Sequence, residues 1–472
     1  MSDTPRRRRR RRIHPILKLL FSLAAIGLML YLATFAFKYC LGLFMVGEDY
    51  VVQLPGQESP IVSEKAPEEV PDNAPLESDR VFEVGRATIL SAGDLMTHLP
   101  IVRSGKSGSG YDHSYIFKYM EPYVSAADYA VVNLETTLSG TDGKEYTGYP
   151  KFNAPDSFAA AAYLGGFDMM LTANNHCYDY GTSGLLRTLN VVRSAGLDTL
   201  GTVPQATDEK YVVKDLNGIK VGMIAYTFSD ITDDRNRPAI NGLPTDSAAS
   251  GLINAFDYDN LDMFYAEMEN YLSAMDAAGA EAKVLFIHWG NEYTTKITDN
   301  QKAIAQKMCE MGVDVIAGSH PHVVQTAELL RSADGSHQTL CFYSQGNFLS
   351  NQRSTNIDLT TGQSEDSLVV SFTFVEYSDG SVHLEATEIL PTWVLIRGSG
   401  DDRTYYILPL DEDVADWSVS YNLSGSQSSD AKTSAKRTQD TVGADFEAIR
   451  SSIEQQATER RQALGIFTGG VG

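Results

Sequence analysis

Apolar positions along the chain fall into three patterns. The first is an unbroken run, Leu19 to Phe37, "LLFSLAAIGLMLYLATFAF", which carries no charge. At 1.5 Å per residue this run reaches about 29 Å, close to the roughly 30 Å hydrocarbon core of a bilayer, so a membrane-spanning helix is predicted. The second pattern is a set of short runs: "ATILSAG" (87–93), "YAVVNL" (129–134), "FDMMLTA" (167–173), "KVGMIAYT" (220–227), "KVLFIHW" (283–289), "DVIAGS" (314–319) and "LCFYSQG" (340–346). They are continuous rather than alternating, as in strands covered on both faces. The third pattern is helical spacing between several of these runs, at about 155–164, 182–195, 259–278 and 299–311. Strands separated by helices predict a layered α/β domain.

Polar stretches divide the chain. Residues 47–82 are rich in Pro, Glu, Asp and Ser and have few apolar positions, too few to bury a core, so they read as an acidic stalk. "YNLSGSQSSDAKTSAKRTQD" (421–440) reads as a second linker. The "ADFEAIRSSIEQQATERRQALG" that follows has helical propensity but no evident packing partner. The expected organisation is an Arg-rich tail (1–18), an anchor region (19–46), the stalk (47–82), a globular domain (83–420) and a polar linker with a helical tail (421–472).

Charge fixes the orientation. Seven consecutive arginines, Arg6 to Arg12, precede the apolar run. Such a block can also serve nucleic-acid binding or nuclear import, but beside a membrane span it is the positive-inside signal, which places the amino terminus in the cytoplasm and the main domain outside. A cleaved signal peptide would have a shorter apolar region ending in small residues. Here Lys38-Tyr39-Cys40 follows instead. The first 46 residues hold nine of the 38 Lys and Arg and one of the 61 Asp and Glu, which leaves the remainder with 29 against 60 and a formal charge of −31. A surface that acidic repels nucleic acid, and an anionic substrate would need a local positive centre such as a metal cluster. Of four cysteines Cys40 lies at the membrane, and Cys177, Cys309 and Cys341 permit one disulfide but describe no disulfide scaffold.

The chemistry-bearing residues follow the strands. Asp94 comes after the first run, and Asn133 and Glu135 close the second. Asn174, Asn175 and His176 follow the third, His288 lies in the fifth, and His320 and His322 follow the sixth. Taken singly each has an ordinary reading: Asp94 as a turn or cap, Glu135 as a solvated carboxylate, "ANNHCYDYG" as a polar turn, His288 as a hydrogen-bonded core residue. His98 in "GDLMTHLP" sits near the group, whereas His113 reads as structural and His14, His337 and His383 lie outside it. Ligands in layered α/β folds bind outside the carboxyl ends of strands, so these groups can converge. A carboxylate, neutral imidazoles and oxygen donors suit a pair of divalent cations, Mn, Zn or Fe, about 3.5–4 Å apart, of the kind that clamps the attacking and leaving oxygens in phosphoryl transfer. In "GSHPHVVQ", His320 and His322 flank Pro321 and can point to opposite sides of a short extended segment, one to each ion.

The motifs "SAGDLMTH", "VVNLETTLSG", "FDMMLTANNHCYDYG", "IHWGNEY", "GSHPHVVQ" and "YSQGNFLSNQ", in that order over about residues 85–395, resemble the capsule-synthesis protein CapA family, associated with poly-γ-glutamate, within the calcineurin-like metallophosphatase superfamily. The resemblance implies a four-layer α-β-β-α sandwich with a dinuclear metal site at its strand ends. It implies Asp94 as a ligand to the first metal, Glu135 as the bridging carboxylate, Asn175, His288 and His320 as ligands to the second metal, and His322 as a ligand to the first. His176 takes the place of the residue that stabilises or protonates a leaving group, with Asp179 orienting it. Lys151 and Asn174 fall on the substrate side, Lys151 beside Phe152. Two departures stand out: Asp94-Leu95-Met96 where the superfamily has Asp-x-His, with His98 two residues late, and Glu135 where the bridge is usually Asp. The expected role is a membrane-anchored protein acting in synthesis, export or attachment of an anionic capsular polymer. Its partners would be the polymer or a phosphoester and the subunits of a polymer-synthesis complex. A non-catalytic scaffold of the same fold and a nucleotidase-like phosphoesterase are the rival readings.

Overall fold

A computed structural model describes residues 81–142, 145–229, 231–232, 238–357 and 361–466. The anchor expected over 19–46 lies outside them, as does most of the stalk, and among the described residues no helix is long and apolar enough to cross a membrane.

Two seven-stranded sheets carry the fold. The chain enters the first through β1 (Glu83–Met96), β2 (Tyr129–Glu135), β3 (Met169–Leu171) and β4 (Asp198–Leu200). It builds the second from β5 (Tyr211–Leu216), β6 (Ile219–Ser229), β7 (Ala255–Asp257), β8 (Ala282–His288), β9 (Val315–Ser319), β10 (Ala327–Arg331) and β11 (Gln338–Phe342). It then returns to the first through β12 (Asp366–Tyr377), β13 (Val382–Arg397) and β14 (Thr404–Pro409). The first sheet has the order β14-β13-β12-β1-β2-β3-β4, and the second β7-β6-β8-β9-β11-β10 with β5 beside β6. Strands β1 to β4 run parallel, as do β7, β6, β8, β9 and β11. Their carboxyl ends therefore deliver the candidate residues.

The sheets pack face to face. Ile89, Val131 and Met169 from the first share one apolar cluster with Val221, Val284, Phe286, Val315 and Phe342 from the second. Alternate residues face the other way: Leu90, Val132 and Met170 pack under helices α1 (Ser157–Leu164) and α2 (Gly181–Ser194). The outer face of the second sheet is covered by α3 (Leu261–Ala277) and α4 (Asp299–Glu310). In α3 the buried Phe264, Met268, Leu272 and Met275 form one stripe at helical spacing. Both faces of both central sheets are buried, which is why their strands read as continuous apolar runs. The architecture is mixed α/β, as the pattern predicts.

The carboxyl-terminal part departs from the reading of 421–440 as a linker. Residues Gly425–Thr438 form helix α5, started by a reciprocal capping box between Ser424 and Gln427. Arg437 on α5 pairs with buried Asp366 at the start of β12. Helix α6 (Ala444–Ala463) finds its partner in the inter-sheet core, where Val442 just before it and Phe446, Ile449 and Ile453 within it join the cluster. Polar composition hid this because both helices offer only narrow apolar stripes. The disulfide allowed by the cysteine count is absent among the described residues: Cys177, Cys309 and Cys341 are buried free thiols.

Candidate metal centre

The site is built where the two sheets meet at their carboxyl ends. The register of β1 against β2 slips between Ala92 and Asp94, a bulge that sets Asp94 opposite Asn133. Gly93 makes the slip tolerable: a Cβ there would lie 2.2 Å from the Gly346 carbonyl oxygen. Asp94, fully buried, accepts from Asn133 Nδ2 at 2.8 Å and from the His320 backbone N–H at 3.3 Å. On the second sheet, His288 ends β8 and Ser319 ends β9. The turn after it puts His320 at φ +98° and His322 at φ +57°, left-handed conformations that cost an L residue about 1–3 kcal/mol and concentrate at functional sites.

These side chains converge. Glu135, His320 and His322 bring ligand atoms within 4.8 Å of one another, all buried. His288 Nε2 lies 2.9 Å from Asn175 Oδ1, 3.2 Å from His320 Nδ1 and 3.7 Å from Glu135 Oε1, while its Nδ1 pairs with Ser319 Oγ at 2.8 Å. His322 Nδ1 lies 3.3 Å from Asp94 Oδ2, and its Nε2 3.8 Å from Glu135 Oε1. Six residues expected as ligands (Asp94, Glu135, Asn175, His288, His320 and His322) thus meet in one place.

The donor set fits a cation. Both oxygens of Glu135 are buried without a hydrogen-bond partner among the described residues. Asp94, Glu135 and the Asn175 carbonyl offer lone pairs only, and each neutral imidazole brings a single proton, so acceptors outnumber donors. Burial, then the charge of Asp94, pushes the Glu135 carboxyl well above its usual range. Burial, with neighbouring imidazoles adding, holds His288 and His320 well below theirs. A cation among them reverses the first of these penalties and favours the neutral, ligating form of the histidines.

The flanking residues divide. His176 Nδ1 pairs with Asp179 Oδ2 at 2.8 Å, and that oxygen also accepts the Phe152 N–H at 2.7 Å. The Phe152 ring meets His176 edge-on at 4.7 Å and His98 at 5.1 Å. His98 lies outside the three-residue gathering: its Nδ1 accepts from the Asn351 N–H at 3.4 Å, and burial lowers its pKa to about 3. Asn174 bonds inward, donating to Asn133 Oδ1 and the Leu134 carbonyl and accepting from His176 N–H, which makes it an organiser of the turn. Lys151 is exposed next to Phe152, and Tyr149, 78% exposed, stands beside it. Sequence reasoning missed Glu292, whose Oε1 lies 4.0 Å from His322 Nε2, and Tyr293, whose ring lies 5.7 Å from that of His322. It also missed Asn347, bonded to His322 Nδ1 at 3.1 Å. All three sit in the quoted motifs "IHWGNEY" and "YSQGNFLSNQ"; a free carboxamide or carboxylate beside a histidine motif was the available signal.

Comparison with known proteins finds relatives for this chain. The family described as bacterial capsule synthesis protein PGA_cap matches residues 88–352. The capsule biosynthesis protein CapA of Bacillus anthracis is 28% identical over 249 residues, 51% of this chain and 55% of that protein. The PGA biosynthesis protein CapA of Bacillus subtilis (strain 168) is 28% identical over 244 residues, 50% of this chain and 57% of that protein. A probable polyglutamine synthesis accessory protein of Mycobacterium tuberculosis is 24% identical over 217 residues, 44% of this chain and 53% of that protein. The chain spans little more than half the length of the curated relatives it matches.

Proposed function

The chain belongs to the bacterial capsule synthesis protein PGA_cap family, and from that premise we propose that it is a membrane-anchored accessory protein in the formation of a poly-γ-glutamate-type capsular polymer, with a metal-dependent phosphoesterase site in a metallophosphatase-like sandwich. The observation that carries the enzymatic part is Glu135: a fully buried carboxylate whose oxygens have no hydrogen-bond partner among the described residues, ringed by three histidines. In this reading Asp94, Glu135, Asn175, His288, His320 and His322 hold two divalent cations. When bound, these cations polarise a phosphoryl oxygen and neutralise charge developing on it.

The chain's own groups supply the rest. Asp179 holds His176 through Nδ1 and stabilises its imidazolium, so Nε2 can give a proton to the leaving oxygen. Phe152 packs on that imidazole and limits its exposure to water. Lys151 and Tyr149, exposed beside it, are placed to meet an anionic substrate.

Elemental analysis of the purified full chain, beside Glu135→Ala and His322→Ala, tests the centre. Near two transition-metal ions per chain, lost in both variants, is expected. His176→Ala should keep the metal and lose at least about 100-fold in phosphoester turnover. A well-folded chain that takes up no Mn or Zn overturns the enzymatic reading. One observation favours a scaffold as second reading: Met96 stands where the superfamily has a histidine, and His98 is engaged with Asn351 instead of the cluster. His176→Ala leaving polymer production intact would decide for the scaffold.

A further inference from the structure

Asn347 touches no strand-end carboxylate, yet every polar atom of its buried side chain is engaged. Its Nδ2 donates to the His322 carbonyl at 3.2 Å, to Gln352 Oε1 at 3.0 Å and to the Ser364 carbonyl at 2.9 Å. Two backbone carbonyls beside one nitrogen, matching its two N–H bonds, settle the orientation of the amide, so Oδ1 is the atom 3.1 Å from His322 Nδ1. The other neighbour of that nitrogen, Asp94 Oδ2 at 3.3 Å, is also an acceptor. Two oxygens facing Nδ1 require it to carry the proton, which leaves Nε2 with the lone pair on the side of Glu135.

The Ser364 carbonyl is itself held. It lies in the short turn Gln363–Glu365, whose two flanks are gripped by one side chain: Arg437 of α5 donates through Nη2 to the Gly362 carbonyl at 3.0 Å and through Nε to Asp366 Oδ2 at 2.7 Å. Ser434, one turn earlier on α5, donates to Asp366 Oδ1 at 2.6 Å. Helix α5 lies beyond residues 88–352, the part matched by the family.

We propose that Asn347 is a positioning residue that fixes His322 as the Nδ1–H tautomer with Nε2 free for the cation, and that α5 braces Asn347 through Arg437 and the Gly362–Asp366 turn. The proposal rests on the metal-centre reading and adds to it the residues that set one ligand's geometry. Outer groups of this kind are worth about 10- to 100-fold in metal affinity.

The test is titration calorimetry of the full chain in detergent with Zn²⁺ and with Mn²⁺, joined to ¹⁵N NMR of labelled histidines. Asn347→Ala should weaken binding about 10- to 100-fold. Arg437→Met, which leaves Asn347 itself unchanged, should weaken binding by a smaller factor. The wild-type His322 Nδ1 should resonate as a protonated nitrogen. Unchanged affinity in Asn347→Ala or an unprotonated Nδ1 would each overturn the proposal. If Asn347→Ala fails to fold, Arg437→Met and the nitrogen spectrum decide it, because Arg437 contacts the turn and not the cluster. A wild-type chain that binds neither ion sinks the centre itself, while the nitrogen spectrum still judges Asn347 separately.

Discussion

At the scale of single residues, the site depends as much on small side chains as on ligands. Gly93 lets β1 pass the Gly346 carbonyl, and the Asp94 N–H then bonds that carbonyl at 2.9 Å. Gly318 does the same under the histidine turn, where a Cβ would lie 2.2 Å from the Tyr343 carbonyl oxygen. In neither case can backbone move aside without shifting a ligand. Gly93→Ala should therefore cost about 1–3 kcal/mol in denaturant unfolding and loosen metal binding as well. A change within about 0.5 kcal/mol, the range of ordinary surface substitutions, would show that the contact is relieved elsewhere. Asp94, Glu135 and the histidines were legible because imidazole and carboxylate immediately after apolar strands are unusual. Asn174 was misplaced, since sequence offers no way to tell a carboxamide that faces substrate from one that closes a turn.

Among elements, His113 ties the segment after β1 to helix α1. Its Nε2 donates to the Val102 carbonyl at 3.2 Å, its Nδ1 accepts from Ser157 Oγ at 2.8 Å, and its ring stacks on Phe158. Burial lowers its pKa from 6.5 to about 4. A depressed histidine binds fewer protons folded than unfolded between those values. Its contribution to stability is therefore complete above pH 6.5 and declines as pH falls toward 4, by up to about 3 kcal/mol. Unfolding free energies measured from pH 7 to 4 should show this decline, to which the buried His98, His288 and His320 add, and His113→Gln should make it shallower; an identical pH slope in the variant would contradict the assignment. Helices α5 and α6 are the other elements whose weight the structure reveals. Phe446 is buried against Phe342 with ring centroids 6.2 Å apart, so Phe446→Ala should destabilise the whole domain by about 3–5 kcal/mol in chemical denaturation. A loss near zero would return this region to the status of a tail.

For the molecule as a whole, the apolar run 19–37 and Arg6 to Arg12 argue for an anchor with the acidic domain outside the membrane. The full chain should pellet with membranes from fractionated cells and be cleaved by protease added outside, whereas a version lacking residues 1–46 should stay in the soluble fraction. Release of the intact full chain by a carbonate wash would contradict the anchor. The acidic charge of residues 47–472 also bears on the proposed substrate: a polyanion approaching it would be repelled except where cations are bound. If the chain acts on an anionic polymer as proposed above, metal removal should weaken polymer binding as well as turnover.

Local patterns were enough for β1 to β3, β6, β8, β9 and β11 of the parallel core and for the helices over them, because full burial writes itself as continuous apolar runs and helical stripes; the three-residue β4 and β7 leave no such run. Strands β12 to β14 were missed. They are antiparallel, and polar residues such as Thr373, Glu376 and Thr387 interrupt the apolar pattern of β12 and β13 even where they are buried, so their hydrophobicity averages out along the chain. The residue types of the centre were likewise written in sequence, strand end by strand end. Only the tertiary structure decided that His98 turns to Asn351 while His322 is held by Asn347, and that the carboxyl-terminal helices close the core. Those outcomes depend on contacts between residues far apart in the chain, where the competing partners of one polar atom are settled by three-dimensional packing and not by neighbours in sequence.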